Sequence, residues 1–269
     1  MTAAETLPAP LPVAGVRLAS AAAGIRYRDR DDLVLVEIAP GASTAAVFTR
    51  NAFCAAPVQV ARAHLAAASP RYLLINAGNA NAGTGQPGLE AAHSCCALVA
   101  RQCGCAPAEV LPFSTGVIGE PLPLPPFADS LPALIGRLDT AGWGAAARAI
   151  MTTDTRPKVT SRCCTLQGRQ VTLTGMSKGS GMICPDMATM LAFVATDSAL
   201  PPELLQTSLQ VAADDSFNAI TIDGDTSTND ACVLIATGTA GVRLDATTAG
   251  DLAVFQETLT GLCQDLARA

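Results

Sequence analysis

This 269-residue sequence has two histidines, His64 and His93, and no C-x-x-C pair among its ten cysteines. The cysteines fall as adjacent pairs (Cys95 with Cys96, Cys163 with Cys164), as Cys103-x-Cys105, or singly at Cys54, Cys184, Cys232 and Cys263. Zinc and related metals need spaced thiolate and imidazole donors, so no metal site is expected, and the thiols are read as free and buried in a reducing compartment. The phosphate-loop pattern G-x-x-x-x-G-K-[ST], the dinucleotide pattern G-x-G-x-x-G and the G-x-S-x-G elbow are all missing. Both histidines lie in apparent helices, so a Ser-His-Asp set is also excluded. No apolar run approaches the roughly 20 residues of a membrane helix, and the start, MTAAETLPAPLP, lacks a basic region followed by an apolar one. No membrane partner is expected, and the cytoplasm is the expected location. Charge is scarce too: 15% of residues are charged, the net charge is −6 and the pI is near 4.9. Without clustered Lys and Arg, nucleic acid is excluded as a partner.

What is present is apolar: 49% hydrophobic residues, with Ala and Gly prominent, which argues against disorder and suits a tightly packed enzyme with a large subunit interface. The length allows one large domain or two ordinary ones, and no linker or repeat separates independent units. Short apolar runs alternate with helical periodicity, giving a mixed α and β pattern. Residues 72–75 read as a strand, and 89–103 as a helix closed by Gly104. The proline-rich stretch 120–132, EPLPLPPFADSLP, reads as a connecting loop or helix entry. MLAFVAT and ACVLIATG read as buried strands, and PPELLQTSLQVAADDS as a helix with proline in its first turn. Residues 251–269 place Leu252, Phe255, Leu259, Leu262 and Leu266 on one helical face, with no Gly cap or Pro after Leu266.

The chemistry is concentrated in KGSGMICPDMATML, residues 178–191. A bend rich in Gly and Pro stops at Ala188, and Thr189 opens an apolar run. Cleavage of the Ala188–Thr189 bond would give Thr189 both a hydroxyl and a free α-amine, the threonine form of an activated nucleophile. An α-amine titrates at about 7.7–8.0, so it serves as a base near neutral pH without histidine.

KGSGMI-x-P-x-MATML, together with VAGVRLASAAAGIRYRDRDDLVLV, AAVFTRNAFCAAPV, NAGNANAGTG, FSTGVIGEPLP, ARAIMTTDTRPK and FNAITIDGDTSTND, resembles the ornithine acetyltransferase (ArgJ) family of arginine biosynthesis, with the blocks in the family's order. The resemblance implies an α/β (α+β) fold of DmpA/ArgJ type, with sheets covered by helices and the logic of N-terminal-nucleophile hydrolases. It implies self-cleavage into an α segment, residues 1–188, and a β segment, residues 189–269, which form one catalytic unit and assemble as an α2β2 heterotetramer. The implied activity moves an acetyl group from N2-acetylornithine to glutamate through an acetyl-Thr189 ester. No external cofactor is required, and some members also accept acetyl-CoA as donor. By the same resemblance Thr115 and Gly116 form the oxyanion hole, and Thr152, Lys178 and Thr189 contact substrate. Glycine permits close backbone approach, and a short hydroxyl and a lone ammonium suit the oxygens of an acetylated amino acid.

NAGNANAGTG (residues 76–85) reads as structural support of that site. DGDTSTND (residues 223–230) fails the calcium-loop pattern, since the twelfth position is Leu234; the resemblance puts Asp223 or Asp225 near the active site. Family members continue beyond the helix matching LCQDLARA into a D-G-E-G-A-T-K stretch and a tail that complete the substrate pocket. The given sequence is therefore expected to be marginally soluble and weak or inactive in transfer, while retaining the residues for cleavage. The alternatives are a self-processing aminopeptidase or amidase of the same architecture, or an inactive truncated paralogue.

Overall fold

The computed structural model describes residues 9–181, 190–222 and 227–269. Strands β1 (Val16–Ala21), β2 (Leu33–Ile38), β4 (Tyr72–Asn79) and β5 (Val110–Val117) form a four-stranded sheet in the order β1-β2-β4-β5. Strands β3 (Ser43–Phe48), β6 (Lys158–Leu166), β7 (Arg169–Lys178), β8 (Leu191–Thr196) and β9 (Ala231–Ala236) form a five-stranded sheet in the order β3-β9-β8-β7-β6. The helices are α1 (Ala56–Ala67), α2 (Gly85–Cys103), α3 (Pro125–Gly136), α4 (Trp143–Ala149), α5 (Pro202–Asp214) and α6 (Ala249–Arg268).

The period-2 alternation of a strand sends successive side chains to opposite faces, which sorts the core into layers. Val34, Val36, Ile75, Leu111 and Phe113 meet Met176, Leu191, Phe193, Val233 and Ile235 between the two sheets. Phe113 and Phe193 touch edge to face there, with ring centroids 5.1 Å apart. Leu33, Leu35, Leu74 and Val110 pack outward on α2 and α3. Leu173, Val194 and Leu234 pack outward on α5 and α6. The result is a helix–sheet–sheet–helix sandwich. It explains why β8 and β9 read as unbroken apolar runs: both of their faces are covered.

Each sheet has one parallel pair, β4 with β5 and β8 with β9, joined through α2 and α5 respectively. Strands from both sides of residues 182–189 share the second sheet, where β8 pairs with β7 at Lys178↔Leu191 and with β9 at Leu191↔Ala231. The end of β7 and the starts of β8 and β9 therefore meet at one edge of the sandwich. The expected helix at residues 251–269 is α6, with Phe255, Leu259, Leu262 and Leu266 buried.

Two readings change. The proline-rich stretch is not only an entry, because α3 begins at Pro125 and carries Pro132 inside it. Burial of Phe127, Leu131 and Leu134 against the first sheet offsets the lost backbone bond, as packing often overrides propensity. Among the described residues the thiols are free but not uniformly buried: Cys95, Cys96, Cys232 and Cys263 are buried, whereas Cys163 is exposed on β6. No helix among the described residues is long and apolar enough to cross a membrane.

Candidate active site

The site is built where the ends of β4 and β5 in one sheet face the end of β7 and the starts of β8 and β9 in the other. On the first side, the β4–β5 register slips at Gly78 and Asn79, so Asn79 pairs with both Thr115 and Val117. Gly116 sits in this slip with φ +131°, and a Cβ there would lie 2.3 Å from the Gly78 carbonyl carbon and 2.5 Å from its oxygen. Only glycine fits, which is the close approach the sequence suggested. Gly116 is exposed, while Thr115 beside it is buried.

Amide side chains hold these strand ends in place. Asn76 Nδ2 donates to the Asn79 carbonyl at 2.8 Å, and Ser114 Oγ donates to Asn76 Oδ1 at 2.6 Å. Asn79 Nδ2 donates to the Glu120 and Pro121 carbonyls, its Oδ1 accepts the Asn81 N–H, and Asn81 Nδ2 donates to the Gly88 carbonyl. This is the supporting role read for NAGNANAGTG. From the other sheet, Asn229 Nδ2 donates to the Ala80 carbonyl at 2.7 Å and the Ser114 carbonyl at 3.0 Å, tying the approach to β9 to the ends of β4 and β5.

The second side is ionic. The sequence contains only two lysines, Lys158 and Lys178, and both are here. Lys178 ends β7 with 3% exposure, and its Nζ donates to Thr115 Oγ1 at 2.9 Å, a second bridge between the sheets. Burial holds its pKa below the usual lysine value, while the Asp154 and Asp230 carboxylates pull the other way. Asp154 Oδ1 accepts from Lys158 Nζ at 2.5 Å and from the Gly179 N–H at 2.7 Å, and its Oδ2 accepts the Thr152 N–H at 3.2 Å. Burial pushes the Asp154 carboxyl up, but the bonds from Lys158, Gly179 and Thr152 together outweigh it and hold the group below 3.8. The Lys158 and Asp154 side chains are 11% and 1% exposed, so the pair is largely shielded. Asp230, buried before β9, accepts the Met190 N–H on Oδ1 at 2.7 Å.

Thr115, Gly116 and Lys178 are thus brought together. Thr152 joins them indirectly, through the Asp154 carboxylate that also binds Gly179. Ala188 and Thr189 lie outside the described residues, as do Cys184, Asp223 and Asp225, but Met190, next along the chain, is fixed by Asp230. A cavity of about 250 Å³ opens beside them, lined by both lysines, Ser177, Met190, Phe217 and the end of α6. Burial pushes the Cys95 and Cys263 thiols up to about 12, leaving them protonated and unreactive at neutral pH.

Sequence reading missed Asp154, Lys158, Asn229 and Asp230. The signal for the last two was available, because an Asn-Asp pair immediately before a fully apolar strand has to spend its polar groups at the strand's mouth. Asp154 and Lys158 are four apart, yet they sit in a loop and the start of β6, where helical spacing rules give no cue.

The model of the ArgJ family matches residues 17–269. The chain belongs to the ArgJ family. It is 54% identical over 258 residues to the arginine biosynthesis bifunctional protein ArgJ of Methylococcus capsulatus, a match covering 96% of this chain and 63% of that protein. The chain therefore spans less than two thirds of the length of that relative. The ornithine acetyltransferase of Mycobacterium tuberculosis, solved in complex with ornithine, is 32% identical with a TM-score of 0.57, over 66% of this chain and 96% of that one. The aminopeptidase of Ochrobactrum anthropi, a variant of the Ntn-hydrolase fold, aligns over 95% of this chain and 83% of that one with a TM-score of 0.52 at 11% identity. That likeness concerns the fold alone, and it agrees with the DmpA/ArgJ-like architecture expected for an ArgJ chain.

Proposed function

We propose that this ArgJ chain is a glutamate N-acetyltransferase that works through Thr189. In this reading the Thr189 hydroxyl attacks the Ala188 carbonyl, the peptide C–N bond breaks with the proton passing to the nitrogen, and water hydrolyses the ester. Thr189 is left with a free α-amine. The mature nucleophile then takes the acetyl group of N2-acetylornithine, releasing ornithine, and yields it to the glutamate amine. Both half-reactions pass through a tetrahedral oxyanion, which Thr115 and Gly116 serve, while Thr152 and Lys178 meet the substrate's oxygens.

The observation that carries the reading is convergence: Thr115 and Gly116 at the end of β5, Lys178 at the end of β7 and the Asp230-anchored Met190 at the start of β8 face one place. The ornithine complex of the 32%-identical acetyltransferase supports an ornithine-type substrate. The proposal carries with it an α2β2 assembly, a cytoplasmic location and no obligatory external cofactor, with acetyl-CoA as a donor to be tried in the same assay. Exposed Phe53, Ile118 and Ile222 suit burial between subunits.

Intact-mass analysis tests the first step. Fragments ending at Ala188 and beginning at Thr189 are expected, with Thr189→Ala remaining one uncut chain. Sustained ornithine release from acetylornithine only when glutamate is present marks the transferase. Release without glutamate would mark an amidase, and substrate turnover by an uncut chain would sink the α-amine base.

A further inference from the structure

We propose that Lys178 is the positioning residue that turns the Thr115 hydroxyl into an obligate hydrogen-bond donor toward the reacting centre. The inference rests on the oxyanion role proposed for Thr115 and deepens it. A protonated lysine has three donor hydrogens and no acceptor, whereas a hydroxyl has one hydrogen and two lone pairs. In the 2.9 Å contact, Lys178 Nζ must donate and Thr115 Oγ1 must accept. The Thr115 hydrogen therefore cannot be spent on Lys178. Among the described residues Lys178 is the one side-chain partner of this hydroxyl, and the neighbouring Ser114 hydroxyl is already committed to Asn76 Oδ1. The Thr115 proton remains for the exposed side, where Gly116 presents its backbone.

The ammonium does a second thing. A hydroxyl that accepts from a cation is polarised, which strengthens the bond it donates in turn. The pair is largely buried: Thr115 is 6% exposed and Lys178 3%. Asp154 and Asp230 face the ammonium and favour its charged form, while burial and the Lys158 ammonium oppose it. The two carboxylates therefore counter part of what burial does to the charged form. Lys178 has a reason to be lysine beyond any contact with substrate.

Two measurements test this, and the first needs no turnover. The protein has only two lysines, so ¹³Cε-lysine labelling gives two signals, with Lys158→Arg assigning them. Thr115→Val removes an acceptor from the ammonium, so the Lys178 signal is expected to titrate at lower pH than in the Thr115→Ser variant, which keeps the hydroxyl. An unchanged titration would overturn the coupling, whatever the enzyme's activity. The second is a double-mutant cycle on the rate of self-cleavage. Lys178→Met and Thr115→Val are each expected to slow cleavage by about 10²–10³, the usual loss for one oxyanion donor, and the double variant by no more than the worse single. Losses that multiply would show that Lys178 acts independently of Thr115 and overturn the proposal. If Thr115→Ser does not cleave faster than Thr115→Val, the hydroxyl is not the donor and the oxyanion reading itself fails, a result distinct from the failure of the coupling.

Discussion

The two walls of the candidate active site are built from opposite materials. The wall made by β4 and β5 is neutral: Asn76, Asn79, Asn81 and Ser114, with Asn229 reaching across, exchange hydrogen bonds that do not change with pH. The wall made by β6 with the loop before it, β7, β8 and β9 is charged: Lys178, Lys158, Asp154 and Asp230 sit within it with little exposure. The neutral wall fixes backbone to within the tolerance of a glycine contact. The charged wall keeps its groups largely out of water, where their field is stronger and where an unpaired group is more costly. The division suits a site in which donors must be rigid and charge must be held ready.

The largest effect is expected where the neutral wall is tightest. Gly116→Ala places a methyl 2.3 Å from the Gly78 carbonyl carbon at a φ of +131°, so β5 must shift away from β4. Cleavage and acetyl transfer should both fall by about 10²–10³ or more, and stability by about 1–3 kcal/mol for a strained backbone position. Normal cleavage kinetics in that variant would remove Gly116 from the site.

Next in size are single removals from each wall. Breaking a shielded ion pair costs about 3–5 kcal/mol, so Asp154→Asn should destabilise by about 3 kcal/mol and loosen the loop that carries Thr152. Its signature is pH dependence. The Asp154 carboxyl titrates below 3.8 when folded, so its stabilisation is present above that value and is lost as pH falls through the depressed folded value. Denaturation midpoints followed down to pH 3 should show wild type and Asp154→Asn converging in acid; a constant gap would break the assignment.

Asn229→Ala removes the donor shared by two buried carbonyls, of Ala80 and Ser114, for about 1–3 kcal/mol. That loss should be the same at every pH, and a pH-dependent gap there would blur the contrast between the walls.

The fold class was legible because its causes are local. Strand alternation and the apolar face of α6 both follow from neighbours in the chain. The neutral wall was half legible, since a run of asparagines and glycines announces a backbone-supporting loop, but its partner Asn229 lies about 150 residues further on. The charged wall was not legible beyond Lys178. Nothing near Asp154 says that Gly179 and Lys158 will converge on its carboxylate, because that meeting depends on β7 ending beside the loop after α4. Pro132 misled for a related reason: its cost is local, while the compensation comes from the sheet beneath it.

The smallest change in stability should come with a large loss of function. Lys178 is a buried ammonium whose pKa is lowered first of all by desolvation, so the folded state disfavours its charge. For a lysine titrating lower when folded than unfolded, that penalty is present below the folded value and fades as pH rises toward the unfolded one. Lys178→Met removes the charge, keeps the apolar stem and leaves Thr115 without one donor. Buried charges replaced by apolar side chains of similar size are often neutral or stabilising. We therefore expect Lys178→Met to melt at or above the wild-type temperature near neutral pH while self-cleavage drops. The comparison with Asp154→Asn is then complete: one charge on this wall holds the fold together, and the other is held against the fold's preference for the sake of the reaction. A clear fall in melting temperature for Lys178→Met would mean that its bonds to Thr115 and its attraction to Asp154 and Asp230 outweigh desolvation, and that both charges are structural.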